Sequence, residues 1–271
     1  MNYKTLINTY NTKYSFESYK SVNKNIFILW YQGFDNAPFI VKKCLKSWKD
    51  KNPGWNIIEL HRNNLANWID INHNFPRIDL NSMHLQAYSD IIRIHILEKH
   101  GGCWCDATLF CAEPLDNWLH KYTSSGFFAF ANPGGNYDTK RMLSSWFLYA
   151  NKDNYIIKTW KKATINFWNK PDIIKNFRNV YYYKYFWFHM LFTNLYNTDV
   201  NFRSIWDSTI KYEAFGPYKQ FNVDIGLNAK VTDYIINIFK TNRQPVYKLN
   251  WKTANDHTDD SVTAYILNNL K

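Results

Sequence analysis

Residues 89–110, SDIIRIHILEKHGGCWCDATLF, read as a helix joined to a strand through two glycines. Ile91, Ile94 and Leu97 recur at helical spacing, which predicts a helix across the first part of the stretch. Gly101 and Gly102 stand where a helix end calls for left-handed backbone. CWCDATLF then reads as a strand that follows at once. Its period of two puts Trp104, Asp106 and Thr108 on one face and Cys103 and Cys105 on the other.

The segments before this stretch have the same alternation of elements. NIFILWYQG (25–33) reads as a short apolar strand stopped by Gly33. APFIVKKCLKSWKDKNPGW predicts a helix from about Pro38 to Lys51, closed by the Asn52-Pro53-Gly54 turn. WNIIEL (55–60) is the next strand. Strand, helix and strand in so short a span are the sequence form of a parallel sheet with crossover helices, so an α/β fold is expected. Residues 1–23 read as a helical or irregular lead-in. Downstream, 144–170 (SSWFLYANKDNYIIKTWKKATINFWNK) and 181–196 (YYYKYFWFHMLFTNLY) read as aromatic helices. The tail from Gln244 reads as strand, polar loop and terminal helix. No repeat or low-complexity linker interrupts the 271 residues, which favours one domain, with about 25–130 and 131–271 as its two parts.

Composition narrows the partners. The chain has 20 Tyr, 19 Phe and 12 Trp, more rings than core filling needs, and rings are good platforms for sugars and bases. A net charge of +11 favours anionic ligands or surfaces. The Lys and Arg residues are scattered, however, without the basic and aromatic groove that would bind a nucleic acid, so no nucleic-acid partner is expected. No secretory leader pattern and no apolar run of spanning length is present, and a cytoplasmic location is expected. Four cysteines are too few for a disulfide scaffold, and Cys103, Cys105 and Cys111 with His100 lack the paired spacing of a zinc site.

Asp90 and Arg93 lie three residues apart and so share a helix face. The glycine reversal brings that face toward Asp106, at the carboxyl end of its strand, where ligands of open α/β sheets gather. There a carboxylate can hold sugar hydroxyls and a guanidinium can pair with phosphate.

Four features together resemble the glycosyltransferases of family 32 and their relatives, the bacterial capsular polysaccharide synthesis proteins. These are ILWYQG with APFIVKKCLKSW, then NPGW, then the Ser-Asp-x-x-Arg and Gly-Gly-x-aromatic-x-Asp block, and then SSWFLYA with a later aromatic helix. The resemblance implies a GT-A-type, Rossmann-like mixed sheet flanked by helices, with a helical, aromatic-rich C-terminal half. It also implies transfer of a hexose from a nucleotide sugar, UDP-linked, with retention and an α linkage. The acceptor would be a capsule, lipopolysaccharide or other surface glycan, or a lipid-linked glycan that could draw the basic protein to the inner face of the membrane.

Carried over residue by residue, Asp90 and Arg93 resemble the donor-sugar and phosphate ligands, Trp104 the aromatic beside the nucleotide, and Asp106 the first acid of an Asp-x-Asp motif. Trp30 resembles the residue packing near the base. Ser145, Trp146 and His189 fall on the acceptor side. Thr108 stands where the wider superfamily has the second acid, which weakens a site for Mn²⁺ or Mg²⁺, because a neutral hydroxyl is a poorer ligand than a carboxylate. Asp256 and His257, with Asp259 and Asp260 beside them, are the candidates to complete it. Lys248 and Lys252 are the alternative, neutralising a leaving diphosphate without metal.

Each residue also has a plainer role. Asp90 and Arg93 are an ordinary exposed ion pair if they face solvent. Trp30 and Trp104 suit a core, His189 suits packing, and the Ser144-Ser145 pair suits a helix N-cap. Thr108 also leaves open a non-catalytic, carbohydrate-binding protein of the same fold.

Overall fold

β1 (Asn25–Leu29) runs through the centre of the molecule, with Ile26, Phe27 and Ile28 at most 1% exposed. The computed structural model describes residues 23–132, 141–252 and 258–270. The expected lead-in, all but Asn23 of it, therefore lies outside the described residues. After β1 come α1 (Phe39–Lys51) and β2 (Asn56–Leu60), with Pro38 at the helix N-cap. α1 turns Ile40, Val41, Cys44, Leu45 and Trp48 inward. The Trp48 indole donates to the Leu109 carbonyl at 2.7 Å, and this bond ties α1 to a segment well downstream.

α2 (Leu85–His100) is buried on every side from Ala87 to Leu97, apart from Ser89. A helix apolar all round needs cover all round. α2 finds it between the sheet and α4 (Tyr155–Trp168), α7 (Trp187–Thr198) and α8 (Val200–Ser208) of the second half. Gly101 and Gly102 reverse the chain at φ of 66° and 94° into β3 (Gly102–Asp106). A Cβ on Gly102 would stand 2.6 Å from the Asn25 carbonyl oxygen, besides adopting a φ that L-residues avoid. Gly102→Ala is expected to lower the unfolding free energy by about 3 kcal/mol, measured by urea denaturation; a change under about 0.5 kcal/mol would refute this account of the reversal.

The five-stranded sheet has the order β2-β1-β3-β6-β5, with β5 at Phe127–Ala131 and β6 at Leu143–Ala150. β2, β1 and β3 are parallel, and β6 and β5 run antiparallel beyond them. A short α3 (Leu115–Trp118) precedes β5. One face of the sheet packs on α2 and the second-half helices, and the other on α1 and α3. α5 (Pro171–Lys175), α6 (Phe177–Tyr183), a π-helix (Phe215–Ile225), α9 (Asp233–Thr241) and α10 (Val262–Asn269) complete the helical part. The α/β architecture, a mixed sheet flanked by helices with a helical and aromatic-rich second half, is the one expected.

Three elements differ from the sequence reading, one of them the helix read over 181–196, which is two: α6 ends at Tyr183 and α7 begins at Trp187. CWCDATLF is not one strand: β3 ends at Asp106, Ala107 and Thr108 turn, and β4 (Leu109–Cys111) leaves the main sheet. β4 pairs instead with β7 (Val246–Lys248), placing Leu109 opposite Lys248. Residues 143–150 are strand rather than the start of a helix. β6 is an inner strand covered on both faces, so its apolar run lacks the alternation that marks a half-exposed strand. Ser144 and Ser145 accordingly sit within a buried strand and cap no helix.

Candidate functional site

The helix-glycine-strand segment brings its own ends together. From Arg93 to Gly101 a helix rises about 12 Å, and from Gly102 to Asp106 a strand advances about 13 Å in the opposite sense. Residues near the middle of α2 therefore arrive beside the carboxyl end of β3. Arg93 Nη2 lies 3.2 Å from Asp90 Oδ1 and 3.3 Å from Asp106 Oδ1. The guanidinium also donates from Nη1 to the Ser145 carbonyl at 2.7 Å, from Nη2 to Ser89 Oγ at 3.2 Å and from Nε to the Ser89 carbonyl at 3.4 Å. Its side chain is 6% exposed and that of Asp90 12%, so they form a buried pair rather than a solvent-facing one.

Trp104 lies under this cluster. Its indole donates to Asp106 Oδ1 at 3.1 Å, and its ring centre is 5.2 Å from the Arg93 guanidinium carbon. At 1% exposure it is buried, and it supports Asp106 from within. Phe188 flanks the guanidinium from α7.

Lys248 reaches the same carboxylate from β7. Its Nζ is 3.4 Å from Asp106 Oδ2 and donates to the Thr108 hydroxyl. The side chains of Lys248 and Asp106 are 18% and 25% exposed, the most open of the cluster. Burial alone would raise the Asp106 pKa, but Arg93 and Lys248 outweigh it and, with the Trp104 bond, hold it below the usual carboxylate range. Burial dominates at Asp90 and pushes its pKa up to about 7, with Arg93 opposing and Asp106 adding.

That raised value has a consequence for stability. A carboxyl whose pKa is higher folded than unfolded favours the folded state when protonated, and this contribution is lost as pH rises toward and through 7. Asp90→Asn removes the titration. The variant's unfolding free energy relative to the parent is expected to rise by at least about 1 kcal/mol from pH 5 to pH 8, read from urea unfolding at both pH values. Parallel curves for the two proteins would refute it.

The other sequence candidates take varied places. Trp30 is half-buried just past β1, with the Trp251 ring edge-on at 5.6 Å. Trp251 is 40% exposed and was not foreseen; its signal was an aromatic three residues beyond Lys248. Lys252 is exposed beside it. Ser145 offers Arg93 its carbonyl from within β6, and Trp146 is 7% exposed and stacked on Phe130 at 4.7 Å. Both are buried among core residues of β6 and its neighbours. His189, on α7, has its pKa lowered to about 3 by burial, with Arg93 and Arg141 adding and Asp106 opposing, and is neutral at physiological pH. Its Nδ1 has no hydrogen-bond partner among the described residues. Ser89, which fixes Arg93 twice, was also not foreseen.

The metal expectation depends on which donors gather. Among the described residues no group of three or more His, Cys, Asp or Glu side chains could hold a metal ion. Asp106 has cations on both oxygens, and the Thr108 hydroxyl is engaged by Lys248. The described residues therefore do not form a fitting divalent-ion site; Asp256 and His257 lie outside them. The four cysteines are buried, with burial raising each thiol pKa. Among the described residues no helix is long and apolar enough to cross a membrane.

Comparison with known proteins gives this geometry a context. An O-glycosyltransferase, braB of Annulohypoxylon truncatum, is 24% identical over 174 residues, taking in 57% of this chain. The match spans 40% of that relative's own length. A solved structure titled PaToxG Glycosyltransferase aligns over 69% of this chain and 73% of its own, at 14% identity and a TM-score of 0.42. The family model described as capsular polysaccharide synthesis protein matches residues 2–267, nearly the whole length, and the chain belongs to that family.

Proposed function

We propose that the protein is a glycosyltransferase that moves a hexose from a nucleotide sugar, UDP-linked, to a hydroxyl of a bacterial surface glycan or its lipid-linked precursor. The observation that carries this reading is the cluster at the carboxyl end of β3, where Asp106 and Lys248 face outward from a buried frame of Asp90, Arg93 and Trp104. Family membership and the name of the curated relative support the same reaction class. The net charge of +11 supports an anionic donor and a membrane-bound acceptor, with the protein held to the cytoplasmic face.

In this reading Lys248 meets the departing diphosphate, Asp106 orients Lys248, and Arg93 positions both carboxylates without touching substrate. Trp30 and Trp251 give an aromatic rim for the base, with Lys252 at its edge. The bond from the anomeric carbon to the phosphate oxygen breaks with the electron pair passing to the phosphate. The acceptor oxygen attacks from the same face and its proton goes to the leaving phosphate, so the α configuration is kept and no side-chain base is needed. Stabilising the developing phosphate charge is then the main contribution of the protein.

A hydrolysis panel over UDP-, GDP- and CMP-sugars tests the reading. One UDP-hexose is expected to be cleaved, and NMR of the first-formed sugar is expected to show the α anomer. Nucleotide binding without turnover, even with acceptor supplied, would make the protein a carbohydrate-binding one. Absence of both turnover and calorimetric nucleotide binding would end the transferase reading.

A further inference from the structure

We infer that the Lys248 ammonium takes the place of a divalent metal ion in this site, so that nucleoside diphosphate is bound and released without metal. The inference rests on the transferase reading and deepens it. The end of β3 and the turn after it offer two side-chain oxygen donors to the cleft, Asp106 and Thr108, and both are turned to the same Nζ. An ammonium has three N–H donors. Asp106 and Thr108 engage two of them, and the partial exposure of the side chain leaves room for the third to meet a phosphate oxygen.

A metal ion touching the same two oxygens would stand against the Lys248 ammonium and close to the Arg93 guanidinium. Like charges at that separation repel strongly in a partly buried site. Among the described residues it would also find one carboxylate, Asp106, where a hard divalent ion takes several oxygen ligands. Arg93 cannot be the phosphate-facing cation instead, because its side chain is 6% exposed and its guanidinium is bonded to Ser89, Asp90, Asp106 and Ser145.

Lys248 is also held as a fixed ligand would be. β7 pairs it with Leu109, and the Leu249 N–H donates to the Thr108 carbonyl at 2.8 Å. Asn222, on the π-helix, donates to the Lys248 carbonyl at 2.7 Å. Its main chain is thus fastened on both sides of the point from which the side chain crosses to Asp106. A cation placed before the ligand arrives needs little reorganisation when charge develops.

The test is calorimetric titration of the full chain with UDP and with GDP, in EDTA and in MnCl₂, together with donor turnover under the same two conditions. In the parent protein the dissociation constant of the bound nucleotide and the turnover rate are expected to agree within about threefold between EDTA and Mn²⁺. Lys248→Met is expected to weaken binding at least tenfold, and Lys248→Arg to keep most of it. In the double variant Thr108→Asp with Lys248→Ala, which replaces the ammonium by a second acid, Mn²⁺ is expected to restore binding that EDTA removes. Binding and turnover in the parent that vanish in EDTA and return with Mn²⁺ would overturn the inference while leaving the transferase reading intact. Loss of nucleotide binding under every condition would remove both. The comparison in the parent protein needs no variant to fold.

Discussion

Asp106→Asn is expected to lower donor turnover by at least about 100-fold while leaving the circular dichroism spectrum unchanged. Asn fills the same space and can still accept from the Trp104 indole, so the supporting hydrogen bond survives. The negative charge between Arg93 and Lys248 does not survive. Without it Lys248 keeps only the neutral Thr108 hydroxyl, and its ammonium is no longer drawn to one position. Arg93 retains Asp90 and the Ser145 carbonyl, which is why the fold is expected to hold. Turnover within about threefold of the parent would mean that Asp106 only ends a strand, and the site would have to be sought elsewhere.

Arg93→Met is expected to act on stability before it acts on chemistry. The guanidinium joins α2 to the carboxyl end of β3 and to the β6 main chain. Removing it strands the buried Asp90 carboxyl, leaves Asp106 with Lys248 alone, and leaves the Ser145 carbonyl without its guanidinium donor. Breaking a buried pair on one side costs about 4 kcal/mol, or a fall in Tm of roughly 10 °C at this size. Adding Asp90→Asn should recover about half of the loss, because it removes the carboxyl most hindered by burial. An Arg93→Met protein as stable as the parent in urea titration would show that the cluster carries no structural load.

The helix, the glycine pair and the start of the strand were legible because each rests on local chemistry: helical spacing in Ile91, Ile94 and Leu97, then a conformation that suits glycine. Asp90, Arg93 and Asp106 come together for the same reason, since the segment folds back by equal lengths of helix and strand. The burial of Trp104 and Trp146 was not legible, because a Trp among apolar residues looks alike whether it lines a cleft or fills a core. β6 was misread because an inner strand covered on both faces has no alternation to reveal it. Ending β3 at Asp106 required knowing that Leu109 pairs with Lys248, a contact that no local pattern encodes. The engagement of Thr108 by Lys248 follows from that pairing and was equally hidden.

The union of β4 with β7 also fixes when the site can exist. Thr108 and Lys248 are 140 residues apart in the chain, and the loop between them includes β5, β6 and most of the helical half. During synthesis β1, β2 and β3 are available to pair long before β7 has been made. Closing so long a loop is an event that gains little until the segments within it are packed. The parallel strands can thus be in place while the carboxylate of Asp106 still lacks its lysine. A folding experiment that follows sheet formation and nucleotide binding separately should therefore see the second lag behind the first: competence comes with the last strand.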